Sequence, residues 1–259
     1  MKIATWNVNG IRPRKAQILD LLSDEDLDVL CLQETKIADE IFPRQDFIDA
    51  GYGHQHIVGQ KAHHGVAILS RVPFADTSRQ VFADLDDKRH AQVRLENGLS
   101  VNCFYVPSGG DKPDTAMNPK FDHKMRFLAE MQTLAEKTRD QATLWMGDLN
   151  VAYRENDTWD HKKNRRLVGH SDGERAAMEA VIAAGNFTDL PRQAAGDEAR
   201  LFTWWGYRYK LSVEKDYGWH LDHVFASQSA APMVKDCQVL KYTRLQESPS
   251  DHIPIVVEV

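Results

Sequence analysis

Short apolar runs alternate with polar segments along the whole chain, and their spacing predicts a mixture of strands and helices. Seven runs are apolar, often β-branched, and bounded by polar, Gly or Pro residues, as buried strands usually are. The runs are KIATW (2–6), DVLCLQ (28–33), GVAILS (65–70), SVNCFYV (100–106), TLWMGD (143–148), HLDHVFAS (220–227) and IPIVVEV (253–259). We expect each run to form a strand.

Two helices are predicted between these strands. The first is amphipathic, because apolar residues recur at steps of three and four. These residues are Phe121, Met125, Leu128, Met131 and Leu134. The second helix is expected to begin at Ser171, where Glu174 completes a capping-box pattern, and to end near Gly185. Strands and helices interleaved in this way predict a layered α/β fold. The length fits one large domain or two small ones, and we expect a single domain over residues 1–259.

The composition is that of a globular protein with a sizeable core. Of 259 residues, 42% are hydrophobic and 27% are charged. The N-terminus lacks the apolar run of a signal peptide, and no stretch has the apolar length of a membrane span, so we expect a cytoplasmic protein without membrane partners. Cys31, Cys103 and Cys237 lie far apart in apolar runs, and we expect them to be buried and reduced.

The net charge of -6 gives no basic footprint, which counts against a non-specific nucleic-acid coat protein. Two local runs are basic, namely RPRK (12–15) and HKKNRR (161–166). Each run is either solvated surface charge or a surface that follows the phosphates of a nucleic acid.

Polar side chains collect at the ends of the predicted strands or in the turns beside them. They are Asn7, Glu34, Tyr105, Asp148, Asn150, Asp222, Asp251 and His252. Singly, each would be a cap or a turn former. Asp148 and Asn150 are two positions apart, so they would share one face if the extended conformation continues, whereas the alternative is a polar strand end with a turn. Together, the eight residues predict one site at the strand ends of an α/β fold.

The residue types in this set fit hydrolysis of a phosphate ester. Glu34 and Asp251 are hard oxygen ligands that suit Mg²⁺ or Mn²⁺, whereas a zinc site would use more imidazole or thiolate. Asp148 could hold or deprotonate a water molecule, and Asn150 could orient that water or a phosphoryl oxygen without adding charge.

The remaining residues fit stabilisation of the transition state. A protonated His252 paired with Asp222 would stabilise negative charge that grows on the phosphoryl group. Tyr105 would supply a neutral donor to the same oxygens.

The motifs WNVNGIR, LQETK, YVP, GDLNVA, TWWGYR, GWHLDH and SDHIP resemble, in order and spacing, those of the exonuclease III family of bacterial apurinic/apyrimidinic endonucleases. The resemblance extends over essentially the whole chain. It implies the fold of the endonuclease/exonuclease/phosphatase superfamily, a four-layer α/β sandwich with two central packed β-sheets flanked by helices. The site would lie between the two sheets.

The resemblance also implies roles. Glu34 would be the principal ligand of Mg²⁺, for which Mn²⁺ could substitute, with Asn7 and Asp251 close to the ion. The catalytic residues would be Asp148, Asn150, His252, Tyr105 and Asp222. The substrate-binding residues would be Trp204, Trp219 and Asn9, with the tryptophans at a pocket for a baseless sugar. Without the resemblance, both tryptophans would be read as core residues.

The function implied is a Mg²⁺-dependent, monomeric DNA repair nuclease. It would hydrolyse the phosphodiester 5′ of abasic sites in double-stranded DNA and remove nucleotides or blocking groups from 3′ ends. The alternatives are a metal-dependent phosphodiesterase acting on RNA or a small phosphate ester, and a catalytically silent RNA-binding regulator of the same fold. The SGG loop (108–110) and the stretch DDKRHAQVRL (86–95) depart from the family pattern, so no DNA contact is assigned to Arg89.

Overall fold

Two six-stranded β-sheets form the centre of the molecule in the computed structural model, which describes residues 1–259. The strands of the first sheet are β1 (Lys2–Asn7), β2 (Val29–Gln33), β3 (His54–Val58), β4 (Val66–Ser70), β11 (Asp236–Val239) and β12 (Ile255–Glu258). The strands of the second sheet are β5 (Phe74–Ser78), β6 (His90–Leu95), β7 (Ser100–Tyr105), β8 (Thr143–Asp148), β9 (Thr188–Asp189) and β10 (Asp222–Ala226). Their orders are β11-β12-β1-β2-β4-β3 and β5-β6-β7-β8-β10-β9.

Six α-helices accompany the sheets. They are α1 (Ile11–Asp24), α2 (Arg44–Asp49), α3 (Pro119–Thr138), α4 (His161–Asn164), α5 (Asp172–Gly185) and α6 (Leu190–Ala195). Both predicted helices are confirmed as α3 and α5, and Ser171 caps α5 with the expected reciprocal bonds to Glu174. None of the helices combines the length and the apolarity that crossing a membrane requires.

Three layers of apolar contact make this a four-layer α/β sandwich, which confirms the predicted fold class. Between the sheets, Val29 and Cys31 of β2 belong to the same buried cluster as Val101 and Cys103 of β7. The opposite face of β2, which carries Leu30, packs with α1 and α2, and the outer face of the second sheet packs with α3 and α5. Because successive side chains alternate between faces, strands covered on both faces are buried at every position and mostly apolar, which explains why their runs are visible in the sequence.

All seven predicted strands are confirmed, with ends within two residues of the expected ones. The pattern did not predict β3, β5, β6, β9 or β11, nor helices α1, α2, α4 and α6. Of these strands, β3, β5, β9 and β11 lie at or next to sheet edges, where one face or one side is polar. The expectation of three buried cysteines holds for Cys31 and Cys103, but Cys237 on edge strand β11 is only half-buried. All three are free.

Strand register brings the ends of several strands to one edge of the sandwich. In the second sheet, Tyr105 at the end of β7 and Asp222 at the start of β10 are both register partners of Asp148 at the end of β8. In the first sheet, Asn7 at the end of β1 is paired with Gln33, directly before Glu34. The two sheets therefore present a row of polar side chains at the same edge.

Candidate active site

The side-chain amide of Asn7 connects the two sheets. Its Nδ2 donates to Glu34 Oε1 at 2.9 Å and to Asp148 Oδ2 at 2.8 Å. Asn7 is completely buried, and its Oδ1 accepts from the backbone N–H of Asn9. One carboxamide therefore holds two carboxylates that come from different sheets.

Glu34 lies directly after β2 with a φ of 52°, a left-handed conformation that turns its side chain toward this edge. Its other oxygen forms an ion pair with Lys36 at 2.8 Å. Burial raises the pKa of Glu34, but the hydrogen bond from Asn7 and the charge of Lys36 outweigh burial and lower the pKa below its usual value. Glu34 is therefore ionised at neutral pH.

Asp148 and Asn150 do converge, but a turn brings them together and not a continued strand. Strand β8 ends at Asp148, and Asn150 has a φ of 52°. The backbone N–H of Asn150 donates to Asp148 Oδ1 at 3.0 Å, and its Nδ2 donates to Asp148 Oδ2 at 3.1 Å and to the Val106 carbonyl at 2.9 Å. The expectation of an extended Asn150 was wrong, because a side chain to backbone hydrogen bond favours the turn here.

His252 lies between two carboxylates. Its Nδ1 is 2.8 Å from Asp222 Oδ2, and its Nε2 is 3.7 Å from Asp148 Oδ2. Burial lowers the pKa of His252, but Asp222 and Asp148 outweigh burial and raise it well above its usual value. Burial, together with Asp222 and Glu34, raises the pKa of Asp148, against the effect of His252. The group therefore favours an imidazolium whose Nε2 faces Asp148 and the cavity.

Tyr105 lies near the Glu34 and Asp148 carboxylates and is a neutral phenol. Burial, and then the negative charges of Glu34 and Asp148, raise its pKa well above the usual value. The Arg89 guanidinium lies 4.7 Å from the centre of its ring and is itself buried against Asp87. Arg89 therefore supports Tyr105 from inside the protein.

Asp251 and Asn9 form the opposite side of the site. Asp251 accepts hydrogen bonds from Asn9 Nδ2 at 2.9 Å and from the Trp204 indole N–H at 3.0 Å. Lys36 donates to Asn9 Oδ1 at 2.5 Å, which connects Asp251 to the ion pair of Glu34. The role of Asn9 in substrate binding stays a prediction, and its side chain also orients Asp251.

A cavity of about 430 Å³ opens in front of these groups. Trp204 and Trp219 form one wall, with their rings edge to face and their centroids 6.4 Å apart. The cavity is also lined by Glu34, Tyr105, Asp148, Asn150, Asp251 and His252. The structure thus brings every predicted site residue to one place, with Asn7, Asn9 and Asp222 directly behind the lining.

The sequence did not predict several other residues of the site. Leu221 and Gly169 line the cavity, and a Cβ at position 169 would come within 3.3 Å of the Trp219 ring. Lys36 stands within LQETK, two residues after Glu34, so the motif itself was the signal. Lys124 is fully buried on α3 and donates to the Asn150 carbonyl at 2.7 Å. A lysine on the apolar face of a predicted helix was the signal for Lys124.

The donors at this site fit a hard divalent cation. Ligand atoms of Glu34, Asp148 and His252 all lie within 4.8 Å of one another, and Asp251 adds a further carboxylate to the same cavity. Carboxylate oxygens are the ligands that suit Mg²⁺ or Mn²⁺ better than zinc, and His252, as an imidazolium, has no free lone pair to offer a metal. The three carboxylates would repel one another less with a cation among them.

Comparison with known proteins identifies the family. The family described as Endonuclease/Exonuclease/phosphatase matches residues 4–252. The chain belongs to this family. Among its relatives is exodeoxyribonuclease III of Haemophilus influenzae, 32% identical over 271 residues that cover 100% of this chain and 99% of the relative.

Two solved structures of similar proteins share the whole fold. An AP endonuclease from Archaeoglobus fulgidus has a TM-score of 0.91 and 32% identity and covers 99% of this chain and 98% of its own. A 3′ phosphatase from Neisseria, bound to a product DNA hairpin, has a TM-score of 0.91 and 30% identity and covers 100% and 98%. This member of the endonuclease/exonuclease/phosphatase family is thus an enzyme that hydrolyses phosphodiesters, as predicted.

Proposed function

We propose that the protein is a DNA repair nuclease that hydrolyses the phosphodiester on the 5′ side of abasic sites and removes nucleotides or blocking groups from 3′ ends. The observation that carries this proposal is the cavity in which ionised Glu34, the Asp148–His252–Asp222 group and a wall of two tryptophans meet. Similar proteins are named exodeoxyribonuclease III, AP endonuclease and 3′ phosphatase, and these names describe enzymes that act on DNA.

Mg²⁺ is the proposed metal, and Mn²⁺ would substitute for it. Glu34 and Asp251 would be its carboxylate ligands, with the Asn7 amide close by to keep Glu34 in position. The bound ion would neutralise charge on the phosphoryl oxygens and the leaving oxygen. Support comes from the hard oxygen donors and from the lowered pKa of Glu34.

The protein groups would carry out a single displacement at phosphorus. Asp148 accepts a proton from a water molecule that Asn150 orients, and the water oxygen bonds to phosphorus. The bond from phosphorus to O3′ breaks, and O3′ takes a proton from solvent water. The products are a 3′-hydroxyl on the upstream nucleotide and a 5′-phosphate on the abasic sugar. The His252 imidazolium, held by Asp222, and the neutral Tyr105 hydroxyl donate to the phosphoryl oxygens as their charge grows.

Substrate choice is assigned to the aromatic wall. Trp204 and Trp219 would contact the deoxyribose of an abasic nucleotide rotated out of the duplex, which costs less where no base is stacked or paired. Asn9 would contact the same substrate while it holds Asp251. We further propose that residues 1–259 form a single catalytic domain that works as a monomer in the cytoplasm, where bacterial DNA is located.

The test uses end-labelled duplexes, one with a stable abasic analogue, one undamaged with a recessed 3′ end, and one with a 3′-phosphate. Each is incubated with Mg²⁺, with Mn²⁺ and with chelator, and Asp148→Asn is the inactive control. Metal-dependent incision at the abasic position that leaves a 3′-hydroxyl is expected. Trimming of the other two duplexes measures the exonuclease and phosphatase shares.

Failure to cut any duplex with either metal would overturn the proposal. Activity on RNA or on small phosphate esters would then identify the phosphodiesterase alternative. RNA binding without hydrolysis of any substrate would identify the silent regulator. Loss of the metal-binding or water-activating carboxylates would favour that last alternative, but Glu34, Asp148 and Asp251 are all present around one cavity.

A further inference from the structure

A second group of metal-ligand side chains lies inside the protein, behind the active-site cavity. It consists of Asp189 at the end of β9, His223 on β10, and His220 just before β10. Both histidines are completely buried, and Asp189 is 8% exposed. One ligand atom from each residue lies within 4.8 Å of the other two. The proposed reaction uses none of these three side chains.

Three ring nitrogens in this group have no hydrogen-bond partner. They are His220 Nδ1, His220 Nε2 and His223 Nδ1. Buried polar atoms are nearly always bonded, so an unpaired one indicates an additional group such as a water molecule or an ion. Three unpaired nitrogens in one enclosed place are a stronger indication than a single one.

The orientation of His223 is that of a metal ligand. Its Nε2 is 2.8 Å from the Val151 carbonyl, which can only accept, so Nε2 carries the proton. The free lone pair of the neutral ring is then on Nδ1, 3.8 Å from Asp189 Oδ2. Metal-bound histidines characteristically donate their second ring N–H to a carbonyl or carboxylate. Two ligands of a tetrahedral zinc ion lie about 3.4 Å apart, so a small movement would bring these two atoms onto one ion.

Asp189 forms no ion pair with a lysine or arginine side chain. Arg192 is buried next to it, but its guanidinium forms an ion pair with Asp157, and only its backbone N–H donates to Asp189. The Tyr153 hydroxyl also donates to Asp189 at 2.7 Å. These hydrogen bonds fix the position of the Asp189 carboxylate. They do not neutralise its buried negative charge, which a bound cation or a protonated His223 would do.

We propose that Asp189, His220 and His223 bind a buried zinc ion. Two imidazoles and one carboxylate suit Zn²⁺ better than Mg²⁺, and a water molecule completes four-coordination. His220 stands between Trp219 and Leu221, two residues that line the active-site cavity. The ion would therefore fix the wall of the cavity from behind. The proposal does not depend on the proposed function.

Metal content tests this site directly. The full-length protein is prepared with Zn²⁺ present, dialysed against a weak chelator with Mg²⁺ maintained, and analysed by plasma mass spectrometry. We expect about one zinc per chain, and a more than roughly tenfold loss in His220→Gln and in His223→Gln. Glu34→Gln should retain the zinc. His90→Gln is the matched control, because His90 is equally buried but both of its ring nitrogens have partners.

A second measurement needs no variant of the cluster. Chelator-treated Glu34→Gln protein, in which the active-site ligand is removed, is titrated with Zn²⁺ or Co²⁺ alone. A raised melting temperature with Zn²⁺, and the visible absorption of four-coordinate Co²⁺ with nitrogen and oxygen ligands, would support the site. Absence of retained zinc together with an unchanged melting temperature would overturn it, and a water molecule or a protonated His223 would then account for the unpaired nitrogens.

Discussion

Asp148 contacts three other groups of the site, because Asn7, Asn150 and His252 all lie at its two oxygens. If it accepts the proton of the attacking water, Asp148→Asn should leave binding of abasic DNA nearly unchanged and slow the chemical step by roughly two orders of magnitude or more. Fluorescence anisotropy measures the binding, and single-turnover cleavage measures the step. Weakened binding with full turnover would show that the assigned role is wrong.

His252 makes the stability of the metal-free protein depend on pH. Asp222 and Asp148 raise its pKa from 6.5 to about 10 in the folded state, in spite of its burial. The protonated His252 side chain stabilises the folded state. This contribution to the free energy of unfolding is complete below the unfolded-state pKa of 6.5, and it is lost as the pH rises through the folded-state pKa. The stability difference between wild type and His252→Asn should therefore shrink from pH 6.5 to about pH 10.

Urea unfolding of both proteins in chelator, across this pH range, measures that difference. A difference that stays constant or grows with pH would show that the imidazole is not held as the cation between the two carboxylates.

At the scale of elements, α3 and α5 support the active-site loops through one buried ion pair. Lys124 of α3 contacts Glu174 of α5 at 2.5 Å and also donates to the carbonyls of Ser108 and Asn150. Glu174 in turn accepts from the backbone N–H groups of Gly169 and Ser171. The two helices thereby fix the loop after β8 and the loop before α5, both of which border the cavity.

Removal of Lys124 should therefore cost stability. Lys124→Met leaves Glu174 buried without its cation, and we expect a loss of about 3–5 kcal/mol in the free energy of unfolding, measured by urea denaturation. Lys120→Met, on the same helix but exposed, is the control and should change little. Adding Glu174→Gln to Lys124→Met should recover part of the loss. A loss of the same size in both single lysine variants would contradict the assignment.

At the scale of the whole molecule, the site joins the two sheets. Glu34 follows a strand of the first sheet and Asp148 ends a strand of the second, and their carboxylates share the amide of Asn7. Mg²⁺ bound there should stabilise the sandwich. At 100 times its dissociation constant, a ligand adds about 2.7 kcal/mol, or roughly 5–10 °C in melting temperature for a protein of this size.

Calorimetry with and without Mg²⁺ measures this rise. Glu34→Gln should abolish most of it, whereas Glu40→Gln, which changes an exposed carboxylate away from the cavity, should keep it. An equal rise in both variants would show that Mg²⁺ acts elsewhere on the molecule.

The sequence predicted seven of the eight interior strands, because both of their faces are buried and the run of residues is largely apolar. The eighth, β6, was missed because half-buried Gln92 and exposed Arg94 interrupt its apolar run. The sequence predicted α5 because a capping box is a purely local signal. Edge strands such as β5 and β11, with mostly exposed or half-buried residues, leave no such run. Each polar residue at a strand end could be identified in the sequence on its own. The order of the motifs that contain these residues indicated that they belong to one family pattern.

The sequence by itself thus determined the layered α/β class, most interior strands and the chemical types of the site residues, because burial and capping are recorded in neighbouring positions. The four-layer arrangement was implied by the family resemblance. Only the tertiary structure decided which of these residues touch. Asn7 and Asp148 are 141 positions apart and meet through sheet packing. The Lys124–Glu174 pair and the approach of His220 and His223 to Asp189 likewise depend on packing between elements, and a local pattern carries no record of such contacts.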